Sequence, residues 1–237
     1  MTSGPRVGIL GGTLDPMHLG HLDTALMARR ALDLDRVVVM PSRLPPHRQQ
    51  GPTASPFHRF AMAALTVNGH EGLLVSEEEL CAPGPSFTAE TLDRLHVRGL
   101  AATQIFFITG ADAFAEIETW HRYPAVLDLA HFVVVSRPGF PVADLASRLP
   151  ALAPRLLPAA LAQTFGSTPG VFLVDARTPD VSSTEIRRRL RSGERLTGLV
   201  APAVEAHINQ HGLYAEARET PIGDGPPDAA DHLHAQD

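Results

Sequence analysis

The sequence has a single cysteine, Cys81, in 237 residues. One thiol excludes an intramolecular disulfide and suits a reducing compartment, and Cys81 itself reads as an ordinary small residue. No apolar run approaches the roughly 20 residues that a membrane-spanning helix needs. The N-terminus has no basic stretch ahead of its first apolar run, so it reads as a strand and not as a signal peptide. The G-x-x-x-x-G-K-[ST] phosphate loop is missing, and so is the G-x-G-x-x-G turn of many dehydrogenases. Broad positive charge is missing too. Of the formal net charge of −6, most sits in residues 216–237, where six acids face only Arg218, so the body is nearly neutral. A nucleic-acid footprint and a membrane partner are therefore not expected, and a cytoplasmic location is.

What is present is 44% hydrophobic residues, enough for a real core. Short apolar runs rich in Val, Ile and Phe cover residues 6–10, 36–40, 73–76, 104–109, 131–136 and 171–175. Their near-continuous hydrophobicity suits strands buried on both faces of a parallel sheet. Helical spacing of apolar residues marks 21–32, 57–67, 88–96 and 123–130 between them. This alternation predicts an α/β fold, a doubly wound and mostly parallel Rossmann-like sheet with helices on both faces. A Ser-Ser-Thr cap opens a helix at 183–192, and Pro202 opens another at 202–211, giving a small C-terminal helical region. Residues 143–165, rich in Ala, Leu and Pro, read as one or two broken helices before the last strand. One domain is expected over 1–214, followed by a disordered acidic tail over 215–237 in which His232 and His234 read as solvated.

The first strand leads into Gly11-Gly12-Thr13, then Leu14-Asp15-Pro16, then His18-Leu19-Gly20-His21 and a helix. Paired glycines after a first parallel strand predict a sharp turn open to a ligand. Open α/β sheets bind ligands at the carboxyl ends of their strands, and a helix N-terminus offers free N–H groups to phosphate. His18 and His21, three apart, share a helix face, and their imidazoles can stabilise charge on a phosphorus under attack. A zinc reading of this pair needs further ligands that the neighbouring sequence does not supply.

This segment resembles the signature of the nucleotidylyltransferase superfamily, and its fuller form is similar to that of bacterial nicotinate-nucleotide adenylyltransferases, with Leu14 where Phe is usual. The resemblance spans residues 6–214. Pro41-Ser42-Arg43-Leu44-Pro45-Pro46-His47-Arg48 is similar to the family's loop after strand two, with Ser42 in place of Asn. Ser86-Phe87-Thr88-Ala89-Glu90-Thr91-Leu92 resembles another family element, with Phe87 in place of Tyr. Val181-Ser182-Ser183-Thr184-Glu185-Ile186-Arg187 looks like a third.

The resemblance implies transfer of AMP from ATP to nicotinate mononucleotide, releasing pyrophosphate, with Mg2+ carried on the ATP. It makes His18, His21 and Arg187 the catalytic candidates. Gly11, Gly12, Thr13, Asp15, Gly110, Asp112, Ser183 and Thr184 become candidates for ATP and its phosphates. Ser42, His47, Arg48, Thr88, Trp120 and His121 become candidates for the mononucleotide, Trp120 by stacking on the pyridine ring. The residues alone leave open an amide or another phosphate acceptor, a non-catalytic nucleotide-binding paralogue, and a homo-oligomer.

Overall fold

A computed structural model describes residues 4–46, 51–163 and 168–215. Strands β1 (Val7–Gly12), β2 (Arg36–Pro41), β3 (Leu73–Val75), β4 (Ile105–Gly110), β5 (His131–Val135), β6 (Leu156–Pro158) and β7 (Val171–Val174) form one sheet. Its order is β3-β2-β1-β4-β5-β7-β6, and every pairing is parallel. The chain winds outward from β1 to β3, then returns to lay β4 on the other side of β1. The order therefore reverses between β1 and β4, which is where open α/β sheets leave a crevice at their carboxyl ends.

Side chains alternate across the sheet into two separate cores. Ile9, Phe107 and Phe132 pack with Leu92 and Leu95 of α4 (Thr88–Val97) and Phe114 of α5 (Ala111–Phe114). Leu10, Phe106 and Val133 pack with Leu22, Ala25 and Leu32 of α1 (Leu19–Leu32) and Ala63 of α2 (Pro56–Val67). A third cluster joins Met62 of α2 to Ile186 of α7 (Ser183–Arg191), Val204 and Ile208 of α8 (Pro202–Gln210), and Tyr214. The expected caps form. Ser182 Oγ accepts from Glu185 N–H at 3.1 Å, and Pro202 opens α8.

Two local expectations change. Residues 123–130 make only a 3-10 turn over Ala125–Asp128, because β5 begins at His131 and leaves too little chain after Pro124 for a longer helix. Residues 143–165 contain short helical turns, α6 (Leu145–Arg148) among them, and also β6, a strand absent from the sequence reading. Two further one-turn helices, α3 (Glu78–Cys81) and α5, lie just after β3 and β4. No helix among the described residues is long and apolar enough to cross a membrane.

Candidate active site

Gly11 and Gly12 do not make the turn expected of them. Both stay in β1, paired with Met40 and Pro41, and neither has a positive φ. The chain turns instead at Leu14, whose φ is 50° and whose side chain is buried. The glycines matter for space. A Cβ at Gly11 would stand 3.3 Å from the Phe107 ring, and both glycines floor an open cleft of about 530 Å³.

The loop between β1 and α1 is held from many sides. Asp15 is fully buried, and its carboxylate accepts from Thr53 N–H at 2.8 Å, Ala54 N–H at 3.1 Å and the Tyr214 hydroxyl at 2.7 Å. Burial and that carboxylate push the Tyr214 phenol up, so it remains a donor. Arg187 donates to the Asp15 carbonyl at 2.6 Å and to Thr184 Oγ1 at 3.3 Å, while Ser183 Oγ donates to the Pro16 carbonyl at 2.9 Å. From the opposite side comes Arg59 of α2, itself fully buried. It donates to the Thr13 carbonyl at 2.8 Å and the Ser42 carbonyl at 2.5 Å, tying the loop after β1 to the loop after β2. Asp15 thus touches protein on every side, and its part in the site is to position the loop.

That loop delivers His18 to the N-terminus of α1. The His18 and His21 rings stack at 3.7 Å between centroids, and His21 Nδ1 accepts from His18 N–H at 3.3 Å. With Nδ1 an acceptor, the His21 proton belongs on Nε2, which leaves that atom as a donor. Burial, then the Arg137 guanidinium, push His21 down to about 3. Burial, then His21 and Arg137, hold His18 far below the ordinary imidazole range. Both are neutral at physiological pH. The positive charge beside them is Arg137, on the turn after β5, which packs against Gly20 and Gly110. A Cβ at Gly110 would collide with Asp112 Oδ1 and press on Arg137 at 3.1 Å. His18 Nδ1 is buried with no protein partner, and so is Ser42 Oγ.

The cleft runs from Gly11, Gly12 and Thr13 past Ser42 to Thr88, Trp120 and His121. Half-buried Trp120 sets one edge against the core, its ring 6.0 Å from that of Phe107, and borders the cleft as well. Phe87 lies 4.4 Å from the His121 ring, so the phenyl that replaces Tyr packs inside the site. Glu79 is a buried acid in the same wall. It accepts from Thr91 Oγ1 at 2.7 Å, and burial pushes its carboxyl up against opposing hydrogen bonds from Thr91 and Ser86.

Comparison with known proteins places this architecture. A family model described as Cytidylyltransferase-like matches residues 9–189. A probable nicotinate-nucleotide adenylyltransferase of Roseiflexus sp. (strain RS-1) is 41% identical over 90% of this chain and 100% of its own. One from Desulfatibacillum aliphaticivorans is 36% identical over 88% and 99%. The chain belongs to the nicotinate-nucleotide adenylyltransferase family. Among solved structures, the Plasmodium falciparum nicotinic acid mononucleotide adenylyltransferase complexed with NaAD superposes with a TM-score of 0.65 at 16% identity, over 89% of this chain and 97% of that one. At that identity it supports the fold.

In this member of the adenylyltransferase family the sequence-predicted residues fall into groups. Gly11, Gly12, Thr13, Ser42, Thr88, Trp120 and His121 share the cleft. His18 and His21 stack beside Arg137, while Ser183 and Arg187 bond to the backbone of the same loop. Asp112 and Thr184 are exposed, at the first turns of α5 and α7. Arg188 and Arg189 form exposed ion pairs with Glu185, as solvated surface residues do. His47 and Arg48 lie outside the described residues, as does the tail from residue 216. Arg59, Glu79, Arg137 and Tyr214 were not singled out from sequence. Of these only Arg137 carried a signal, its place immediately after a predicted parallel strand.

Proposed function

We propose that this chain transfers the adenylyl group of ATP to nicotinate mononucleotide. The observation that carries the reading is that one stretch of chain serves two sites. Residues 11–13 floor an aromatic-edged cleft, and the loop they enter brings two stacked, neutral histidines and an arginine to a helix N-terminus. An oxygen of the mononucleotide 5′-phosphate attacks the α-phosphorus of ATP. A new P–O bond forms as the bond to the bridging oxygen breaks, and pyrophosphate leaves with that electron pair. The attacking oxygen is already anionic, so no side-chain base is needed, and catalysis comes from positioning and charge stabilisation.

Neutral His18 and His21 act as N–H donors to the α-phosphate, and Arg137 supplies the positive charge. Mg2+ arrives as part of the MgATP substrate and keeps several waters. The N-terminus of α7, with Thr184 and Arg187, receives the pyrophosphate, while Ser183 holds the loop through Pro16. Gly110 and Asp112 serve the ribose of ATP. On the acceptor side, Trp120 stacks on the pyridine ring, Thr88 and His121 flank it, and Ser42 lines the cleft beside them. The exposed Cys81 thiol fits a cytoplasmic setting. Pyrophosphate release from MgATP, measured with nicotinate mononucleotide, its amide and other phosphate acceptors in turn, tests the reading. Fastest release with the acid is expected. Faster release with the amide overturns the acceptor, and release with none overturns the reaction.

A further inference from the structure

His58, His207 and His211 meet away from the cleft, on the seam between α2 and α8. His58 lies in the first turn of α2, while His207 and His211 are four apart at the C-terminal end of α8 and so share a helix face. Nδ1 of His58 stands 3.1 Å from Nε2 of His207. One ring nitrogen from each of the three lies within 4.8 Å of the others, the one such grouping among the described residues. Ring centroids are 5.2 Å apart for His58 and His207, 4.9 Å for His58 and His211, and 4.5 Å for His207 and His211.

We infer that His58, His207 and His211 form a binding site for a transition-metal ion of the zinc class, joining α2 to α8. A tetrahedral zinc with Zn–N bonds of about 2.0–2.1 Å holds its ligand nitrogens roughly 3.3 Å apart. One pair is already at that separation, and small rotations of His211, the most exposed of the three, bring in the third. A water completes the shell. An all-imidazole donor set favours Zn2+, Co2+ or Ni2+ over Mg2+, which seeks oxygen, so this ion is distinct from one carried by ATP.

The place of the site in the fold gives the ion a structural task. Ala54, just ahead of α2, donates to the Asp15 carboxylate, and Tyr214, three residues beyond His211, donates to the same carboxylate. The metal therefore links the two arms that grip Asp15. Ala54, Met62, Val204, Ile208 and Tyr214 pack together in the same cluster, so the arms are already neighbours when the ion binds.

The test uses the untagged full chain, stripped with chelator and titrated with ZnCl2 against a chromophoric competitor. One Zn2+ per chain is expected, with a Kd of about 1 µM or tighter. His207→Ala and His211→Ala should each weaken it by at least ~10-fold, whereas joint replacement of tail His232 and His234 by Ala should not. His211 is exposed, so His211→Ala reports on binding even where His207→Ala is poorly folded. Zinc at ~100 times the parent's Kd should raise Tm by about 5 °C in the parent and by no more than about half of that in either site variant. Zinc uptake that survives both site substitutions, that disappears with the tail histidines, or that is absent overturns the inference.

Discussion

The two halves of the site are built differently. In the loop half, the carboxylate and carbonyl of Asp15 are spoken for, by Thr53, Ala54, Tyr214 and Arg187, and Arg59 grips the loop from beneath. The cleft half is edged by rings and prolines, with Trp120 half-buried and His121, Pro46 and Phe87 at or near the surface. Phosphoryl chemistry asks for donors fixed to within a fraction of an ångström, and the loop half provides a hydrogen-bonded frame for them. Recognition of a flat heterocycle needs a stacking face and a nearby donor, which a less constrained wall can offer. On the proposed function, reaction type rests on the hydrogen-bonded half and acceptor choice on the ring-edged one.

Substitutions on each side should separate these roles. Arg59→Leu should act most strongly. It strips donors from the Thr13 and Ser42 carbonyls, lowering stability by about 3 kcal/mol in denaturant unfolding and turnover with it. Unchanged unfolding in that variant would remove the claim that the frame is rigid. His21→Ala should cut kcat by ~10²-fold or more while leaving the unfolding midpoint close to the parent's. If kcat is near normal in a folded protein, the charge-stabilising role of the histidine pair is wrong. Trp120→Ala should raise the acceptor KM by roughly 5-fold and leave the ATP KM alone, because stacking beyond burial is worth about 1 kcal/mol. Equal changes in both constants would erase the distinction between the halves.

A further effect concerns pH. Burial, then Arg137, lower His21 from 6.5 to about 3, and burial, then Arg6, lower His131 to about 4. Between those values and about 6.5 the unfolded chain binds protons that the folded chain does not. Stability is therefore full above about 6.5 and declines as pH falls toward the folded values, by at most ~1.4 kcal/mol per pH unit for each group. Urea midpoints measured from pH 7 to 4 should show this slope. His21→Gln should lessen it, with buried His18 and His131 supplying the remainder, and Trp120→Ala should leave it unchanged.

The strands were largely legible in the sequence because a parallel strand buried on both faces is a continuous apolar run, as in Val37 to Met40 and Phe132 to Val135. The N-terminal ends of α7 and α8 were legible from Ser182 and Pro202 for the same kind of local reason. The exceptions share a different cause. β6 is three residues long between turns, too short to carry a period. The tight turn fell at Leu14 because packing of that side chain in the core holds its backbone, which the neighbouring glycines conceal. The cleft residues Thr88 and Trp120 and the pair His18 and His21 were legible as motifs. Arg59 and Tyr214 were not, since nothing near them in sequence says that their partners lie in a loop 46 and 199 residues away.

The bond from Tyr214 to Asp15 gives the fold a temporal order. All seven strands lie within residues 7–174, so a nascent chain can assemble its sheet while the remainder is still being translated. The latch on the loop closes only after residue 214 has left the ribosome, well behind the residue it holds. The loop is thereby fastened late in the life of the polypeptide, and a chain cut short before that tyrosine lacks the hydroxyl that holds Asp15.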